Sequence, residues 1–155
     1  MIFTALGFFL AAGHLSAAPG DVDRRFGAGG YAFSHALADG TDGTDMAVQA
    51  DGRILVVGTS YSNVGEGQLN VGLARFMPDG WLDGRFGRGE KVLTVITRYD
   101  HGNSLALLED GSFLVGGTSG DSTHPGGAVV VSYGGESARW PKFPRHRPGH
   151  PHDHR

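Results

Sequence analysis

The side chains best suited to chemistry gather in two places. Near the end of the chain stand His146, His150, His152 and His154, with Asp153 among them. Neutral imidazole ligates zinc, copper and nickel well, and the alternation His150, His152, His154 could chelate one ion in a flexible chain. The same tract holds Pro141, Pro144, Pro148 and Pro151, which block helix and sheet. The expectation is therefore a disordered basic tail, with any metal capture there opportunistic. The second cluster is Asp39, Asp42 and Asp45, three carboxylates at a spacing of three among glycines and threonines. Hard oxygen ligands in such a loop suit Ca²⁺. However, the loop lacks the alternating acids and closing Glu of an EF-hand, so a solvated turn is expected and calcium is the alternative.

Other chemistries find less support. The glycine clusters do not make G-x-G-x-x-G, no Gly-Lys dipeptide occurs, and there is no G-x-S-x-G elbow. Ser34, His35 and Ser60 show no base and orienting partner in sequence. An enzyme would have to draw on residues such as His35, Asp39 and Asp42, assembled in space from loops. With no cysteine, disulfides, thiolate metal sites and Cys nucleophiles are excluded. Residues 1–138 carry 8 Lys/Arg against 15 Asp/Glu, a net −7, whereas residues 139–155 carry 5 against 1. An acidic body of this kind argues against a nucleic-acid surface.

These residues sit on an internal repeat. The segment GDVDRRFGAGG at 20–30 returns as GWLDGRFGRGE at 80–90, with six of eleven positions identical. AVQADGRILVVGTS at 47–60 returns as ALLEDGSFLVGGTS at 106–119, with eight of fourteen identical. Asp23/Asp83, Phe26/Phe86, Asp51/Asp110 and Leu55/Leu114 are matches that glycine richness (27 Gly in 155 residues) does not explain. Strands are expected at 30–35, 45–50, 53–59 and 70–76 in the first unit, and at 91–97, 104–108, 112–118 and 128–133 in the second. Asp51-Gly52 and Asp110-Gly111 each fall between two of them as hairpin turns. The unbroken apolar run 54–57 suits a strand covered on both faces. Asp23, Asp83, Arg25 and Arg85 are expected to bind backbone donors or each other and fix the start of each unit, and Phe26 and Phe86 to anchor the core.

At these residues the chain resembles the delta-60 repeat family, exported bacterial proteins of β-propeller-like class. VDRRFGAGG, AVQADGRILVVG and LARFMPDG carry the resemblance in the first unit, and LDGRFGRGE, ALLEDGSFLVGG and VVVSYGGES in the second. The resemblance implies a fold and an exported location, and brings no catalytic residues with it. The expected fold is thus all-β: two tandem four-stranded antiparallel blade-like sheets, a partial β-propeller, with a disordered C-terminal tail. The units are 19–79 and 80–134, followed by a tail at 135–155. Two blades fall short of the four to eight or so of a closed propeller, so association between copies is one way to cover their edges.

Residues 1–18 read as a signal peptide: an apolar run at 2–12, then small residues for cleavage after Ala17 or Ala18. The run is shorter than the 20 or so residues of a membrane span, so no span is expected after cleavage. The destination is secreted, periplasmic or cell-envelope. The expected role is a binding or structural scaffold without catalysis or cofactor, its partner a protein or glycan ligand, not nucleic acid. The alternative is a truncated or frameshifted fragment of a longer repeat protein, because the pattern breaks near Gly134. The other reading frames of the coding DNA after codon 134 test this: continued L-D-x-x-F-G-x-G-G motifs there establish a broken gene, and their absence leaves the short form as the product.

Overall fold

The structure, a computed structural model, describes residues 18–34, 40–62, 67–88, 91–123 and 125–135. Among the described residues it is all-β: β1 (Thr41–Val48), β2 (Ile54–Ser62), β3 (Gln68–Phe76), β4 (Lys91–Thr94), β5 (Tyr99–Leu107), β6 (Phe113–Gly120) and β7 (Gly127–Tyr133). The Asp-Gly signals mark hairpins as expected. In the first, Gln49 N–H donates to Arg53 O (2.8 Å) and Gly52 N–H to Gln49 O (2.9 Å). In the second, Leu108 donates to Ser112 (2.9 Å) and Gly111 to Leu108 (3.1 Å). Gly52 and Gly111 sit at φ 83° and 81°, the left-handed position of a type I turn with a bulge, which glycine adopts without strain. Asp51 and Asp110 tighten these turns by accepting the N–H two residues on, from Arg53 (3.0 Å) and Ser112 (2.9 Å).

Strands β1, β2, β3 and β4 run as an antiparallel meander, and β5, β6 and β7 as a second. A single parallel pair, Leu69 with Tyr99, joins them. Both meanders bulge at the same place, between Gly43 and Asp45 in β1 and between Gly102 and Ser104 in β5. A Cβ on Gly58 would strike the Asp42 carbonyl oxygen, and one on Gly117 the His101 carbonyl oxygen. Glycine is therefore required where each second strand passes the bulge.

The strands do not divide at the unit boundary. β4 belongs by sequence to the second unit, yet it is the fourth strand of the first sheet, pairing Val71 with Thr94 and Leu73 with Val92. Its counterpart in the first unit, expected as a strand at 30–35, forms only the isolated bridge Gly27–Tyr31 over its described part. The physical reason is that a β4-type strand hydrogen-bonds to the preceding sheet, and no described residues form one ahead of the first unit. The signal segment (1–17) and the tail (136–155) lie outside the described residues, as do residues 35–39.

Between the sheets lies the main core. Leu55, Val57, Val71 and Leu73 from the first meet Phe113, Val115, Val131 and Tyr133 from the second, with Phe86 and Val92 among them. Phe113 and Tyr133 stack with centroids 5.1 Å apart. Opposite faces of the repeat thus meet, because Phe113 corresponds to Ile54, not to Leu55. The back of the first sheet holds Ala74 and Phe76, with Ala32, Ile54, Val56, Leu82 and Leu93 against them. On the back of the second sheet, the counterparts of Val57, Val71 and Leu73 are Gly116, Ala128 and Val130. Apolar bulk is smaller there than at the matching positions of the first sheet.

Phe86 is 0% exposed between the sheets, while Phe26 is only half-buried. Truncating a buried Phe costs about 3–5 kcal/mol. Phe86→Ala should lose stability of that order in urea unfolding, and Phe26→Ala less than half as much, although the two share one motif.

Candidate functional site

The unit opening is built around an aspartate. Asp83 Oδ1 accepts the Arg85 N–H (3.0 Å), and Asp23 Oδ1 accepts that of Arg25 at the same distance. The turns match in the backbone too: Phe86 N–H donates to Asp83 O and Phe26 N–H to Asp23 O, both at 3.0 Å. The backbone-donor reading of these aspartates therefore holds. Their surroundings differ. Asp83 is buried, and its Oδ2 accepts Arg75 Nε and Nη2, each at 2.8 Å. The Arg75 guanidinium carbon lies 4.7 Å from the centroid of the Phe86 ring, a cation–π contact. Burial works against ionisation of Asp83. The Arg85 backbone N–H, the Arg75 hydrogen bonds and charge, and Arg53 at 3.9 Å outweigh it and hold the carboxyl below the usual carboxylate range. Arg75 was missed at the sequence level because the pair crosses the unit boundary. The signal was its fixed place in the LARF close, next to the following opening.

Of the acidic cluster, Asp39 lies outside the described residues, as do His35, His146, His150, His152, His154 and Asp153. Asp45 is engaged in structure: Oδ1 accepts the Met46 N–H (2.8 Å), and Oδ2 reaches across to β5 for the Leu105 N–H (2.8 Å). Beside it, the Thr44 hydroxyl donates to Gly102 O (2.6 Å). Together these two residues clasp the first strands of the two sheets. Asp42 is exposed and accepts the Tyr61 hydroxyl (3.2 Å), which raises the Tyr61 pKa. Asp42 and Asp45 thus have different partners. Among the described residues, no three His, Cys, Asp or Glu side chains are placed to hold a metal ion.

At the end of the sheets opposite the Asp-Gly hairpins lies a polar layer that sequence did not reveal. Asp100 is fully buried. Its carboxylate accepts Ile96 N–H (2.7 Å), Thr97 N–H (3.1 Å), the Thr97 hydroxyl (2.9 Å) and the Ser119 hydroxyl (2.7 Å). These bonds pin the β4–β5 connection to β6. His101, the next residue, turns to the other face of β5, where its Nδ1 lies 3.3 Å from Thr59 Oγ1. Ser119 is thus bonded to a carboxylate whose acceptor positions are filled, and His101 belongs to a different contact. Beside Ser119 a shallow cleft of about 370 Å³ opens among Tyr99, Thr118, Gly120, Asp121, Ser122 and Gly126. Tyr99, at the edge of the cleft, is 42% exposed, and the Arg98 guanidinium carbon lies 5.6 Å from its ring centroid. Asp121 Oδ1 accepts both the N–H and the hydroxyl of Thr123, shaping the β6–β7 loop.

With sheets, joint and loops in place, comparison with known families becomes informative. Residues 49–86 match the family model described as "Domain of unknown function (DUF5122) beta-propeller". The chain carries a β-propeller repeat. The matched stretch runs from the first Asp-Gly hairpin through β2 and β3 to Phe86, and so takes in the Arg75–Asp83–Phe86 joint whole. Searches of curated proteins and of solved structures return no match.

The joint makes a pH prediction. A carboxyl held below its unfolded value, about 3.9 for Asp, contributes stability that is present above that value and lost as pH falls through the folded one. Urea midpoints should therefore drop below about pH 4, and Asp83→Asn should flatten that part of the profile. Removing one partner of a buried ion pair costs about 3–5 kcal/mol, so Arg75→Ala should destabilise by that order near neutral pH.

Proposed function

We propose that the chain is an exported scaffold of the delta-60 repeat kind that binds a ligand at the loop end of its sheets and performs no catalysis. The cleft beside Ser119 carries this reading. In it an exposed aromatic residue, hydroxyls and backbone meet on the sheet end, the usual setting for recognition loops. A glycan suits it better than an apolar small molecule. The Tyr99 ring, with the Arg98 guanidinium carbon 5.6 Å from its centroid, offers the exposed part of an aromatic surface, and Thr118, Ser122 and the glycine backbone around it offer hydrogen-bond partners. The segment joining β2 to β3 differs in sequence from the one joining β6 to β7, as expected where a constant framework presents variable connections. Two further observations support the absence of catalysis: the saturated carboxylate of Asp100, and the separation of His101 from Ser119. Export is supported by the apolar run at 2–12 and the small residues that follow it.

The test is retention of envelope glycans and proteins on the immobilised chain. Capture by the unaltered protein and at least a tenfold loss in Tyr99→Ala is the expected outcome. The exposed ring is not part of the core, so the variant should unfold at the same urea concentration. Recovery of nothing, or equal recovery by both, would remove the cleft as the binding site.

A further inference from the structure

The molecule carries an aromatic recess and, in the same chain, a segment with the chemistry to fill it. The recess, of about 190 Å³, opens where residues 28–33 meet the turn that follows β3. Tyr31, Phe33 and Trp81 line it together with Ala28, Ala32 and Leu82. Tyr31 and Trp81 are 55% and 60% exposed, and the Phe33 ring meets Tyr31 edge-on with centroids 5.3 Å apart. Backbone bonds fix the walls: Gly27 N–H donates to Asp79 O and Met77 N–H to Trp81 O, both at 2.7 Å. Asp79 stands exposed beside the recess, and its Oδ1 accepts the Trp81 N–H (3.3 Å).

The segment is PKFPRHRPGHP at 141–151. Pro141 and Pro144, and again Pro148 and Pro151, stand three apart. A polyproline II strand turns once in about three residues, so each pair of prolines shares one edge. Such Pro-x-x-P segments dock in grooves lined by aromatic rings, because the strand is stiff before it binds and loses little freedom.

We propose that residues 141–151 dock in the recess of their own chain, proline rings on Tyr31 and Trp81, with Lys142 and Arg145 turned towards Asp79. Three observations favour this occupant. The first is reach. Gly135 O accepts Arg75 Nη1 (3.4 Å), Arg75 O accepts the Asp83 N–H (2.8 Å), and Trp81 lies two residues before Asp83. One arginine side chain and two residues thus separate Gly135 from Trp81. Pro141, six residues past Gly135, has a reach of about 20 Å at full extension. The second is charge. Residues 139–155 carry 5 Lys/Arg against 1 Asp, and residues 1–138 are net −7. Exposed pairs of this kind select a partner more than they hold it, and the apolar contact of ring on ring does the holding. The third is the tether. A short linker gives the segment an effective concentration in the millimolar range, so a contact too weak for a free peptide closes within the chain.

Trp81 reports on the recess once Trp140, the other tryptophan, is changed to Phe. In Trp140→Phe, acrylamide should quench Trp81 fluorescence at least twofold less than in the same chain with the four prolines changed to Ser. The difference should persist on dilution. As a second measurement, trypsin should cut after Lys142 and Arg145 at least threefold faster in Trp81→Ala than in the unaltered chain. Circular dichroism shows whether Trp81→Ala keeps its strands. Should it lose them, the quenching comparison decides alone, because its changes lie in residues 140–151. Equal quenching with and without the prolines would overturn the proposal and leave the recess to another occupant. A difference that fades on dilution would overturn it too, by assigning the contact to the segment of a second copy. So would unchanged cleavage in a folded Trp81→Ala.

Discussion

Everything in this structure depends on covering one face of a small sheet with one face of another. A sheet of this size buries too little alone, and its central strands β2 and β3 carry apolar side chains on both faces. Phe86 solves the problem locally. It enters from the connection between the sheets, fills the space between Leu55 and Leu73 on one side and Phe113 and Val115 on the other, and is fixed by a guanidinium lying over its ring. Arg75 and Asp83 are satisfied by each other and by backbone, which is the condition for burying charge without a large penalty. The joint thus combines packing, which favours contact, with a directed polar pair, which sets its alignment.

The first unit shows the same motif with no sheet ahead of it among the described residues. Asp23, Arg25 and Phe26 make the same local turn as their counterparts, so the turn is a property of the sequence itself. Burial is not, since it requires a sheet on the other side. Local hydrogen bonds therefore repeat at 3.0 Å in both copies, while exposure differs.

Much of the sheet architecture was legible because its signals are local. Asp-Gly between two apolar runs marks a hairpin wherever it occurs, and both hairpins form. The repeat offset also placed Phe86 correctly in the core. What was not legible depends on contacts between units. The run at 30–35 has the composition of a strand, but no described residues form a sheet ahead of it, and β4 crosses to the sheet before its own unit. Asp45 reads from its spacing as part of a solvated turn, with calcium the alternative, because spacing says nothing about the Leu105 N–H it accepts from the neighbouring strand. Asp100 looked unremarkable because its four donors come from 96, 97 and 119, a grouping created only by the fold.

The lending of β4 to the sheet before it has a bearing on how such genes grow. Since the second unit lends β4 to the sheet of the first and begins its own with β5, the genetic period and the structural period are out of phase by one strand. An in-frame duplication of one period, wherever its breakpoints fall inside the repeat, inserts one whole blade together with the joint that fastens it. Lineages can therefore lengthen or shorten by unequal recombination without landing on a domain boundary.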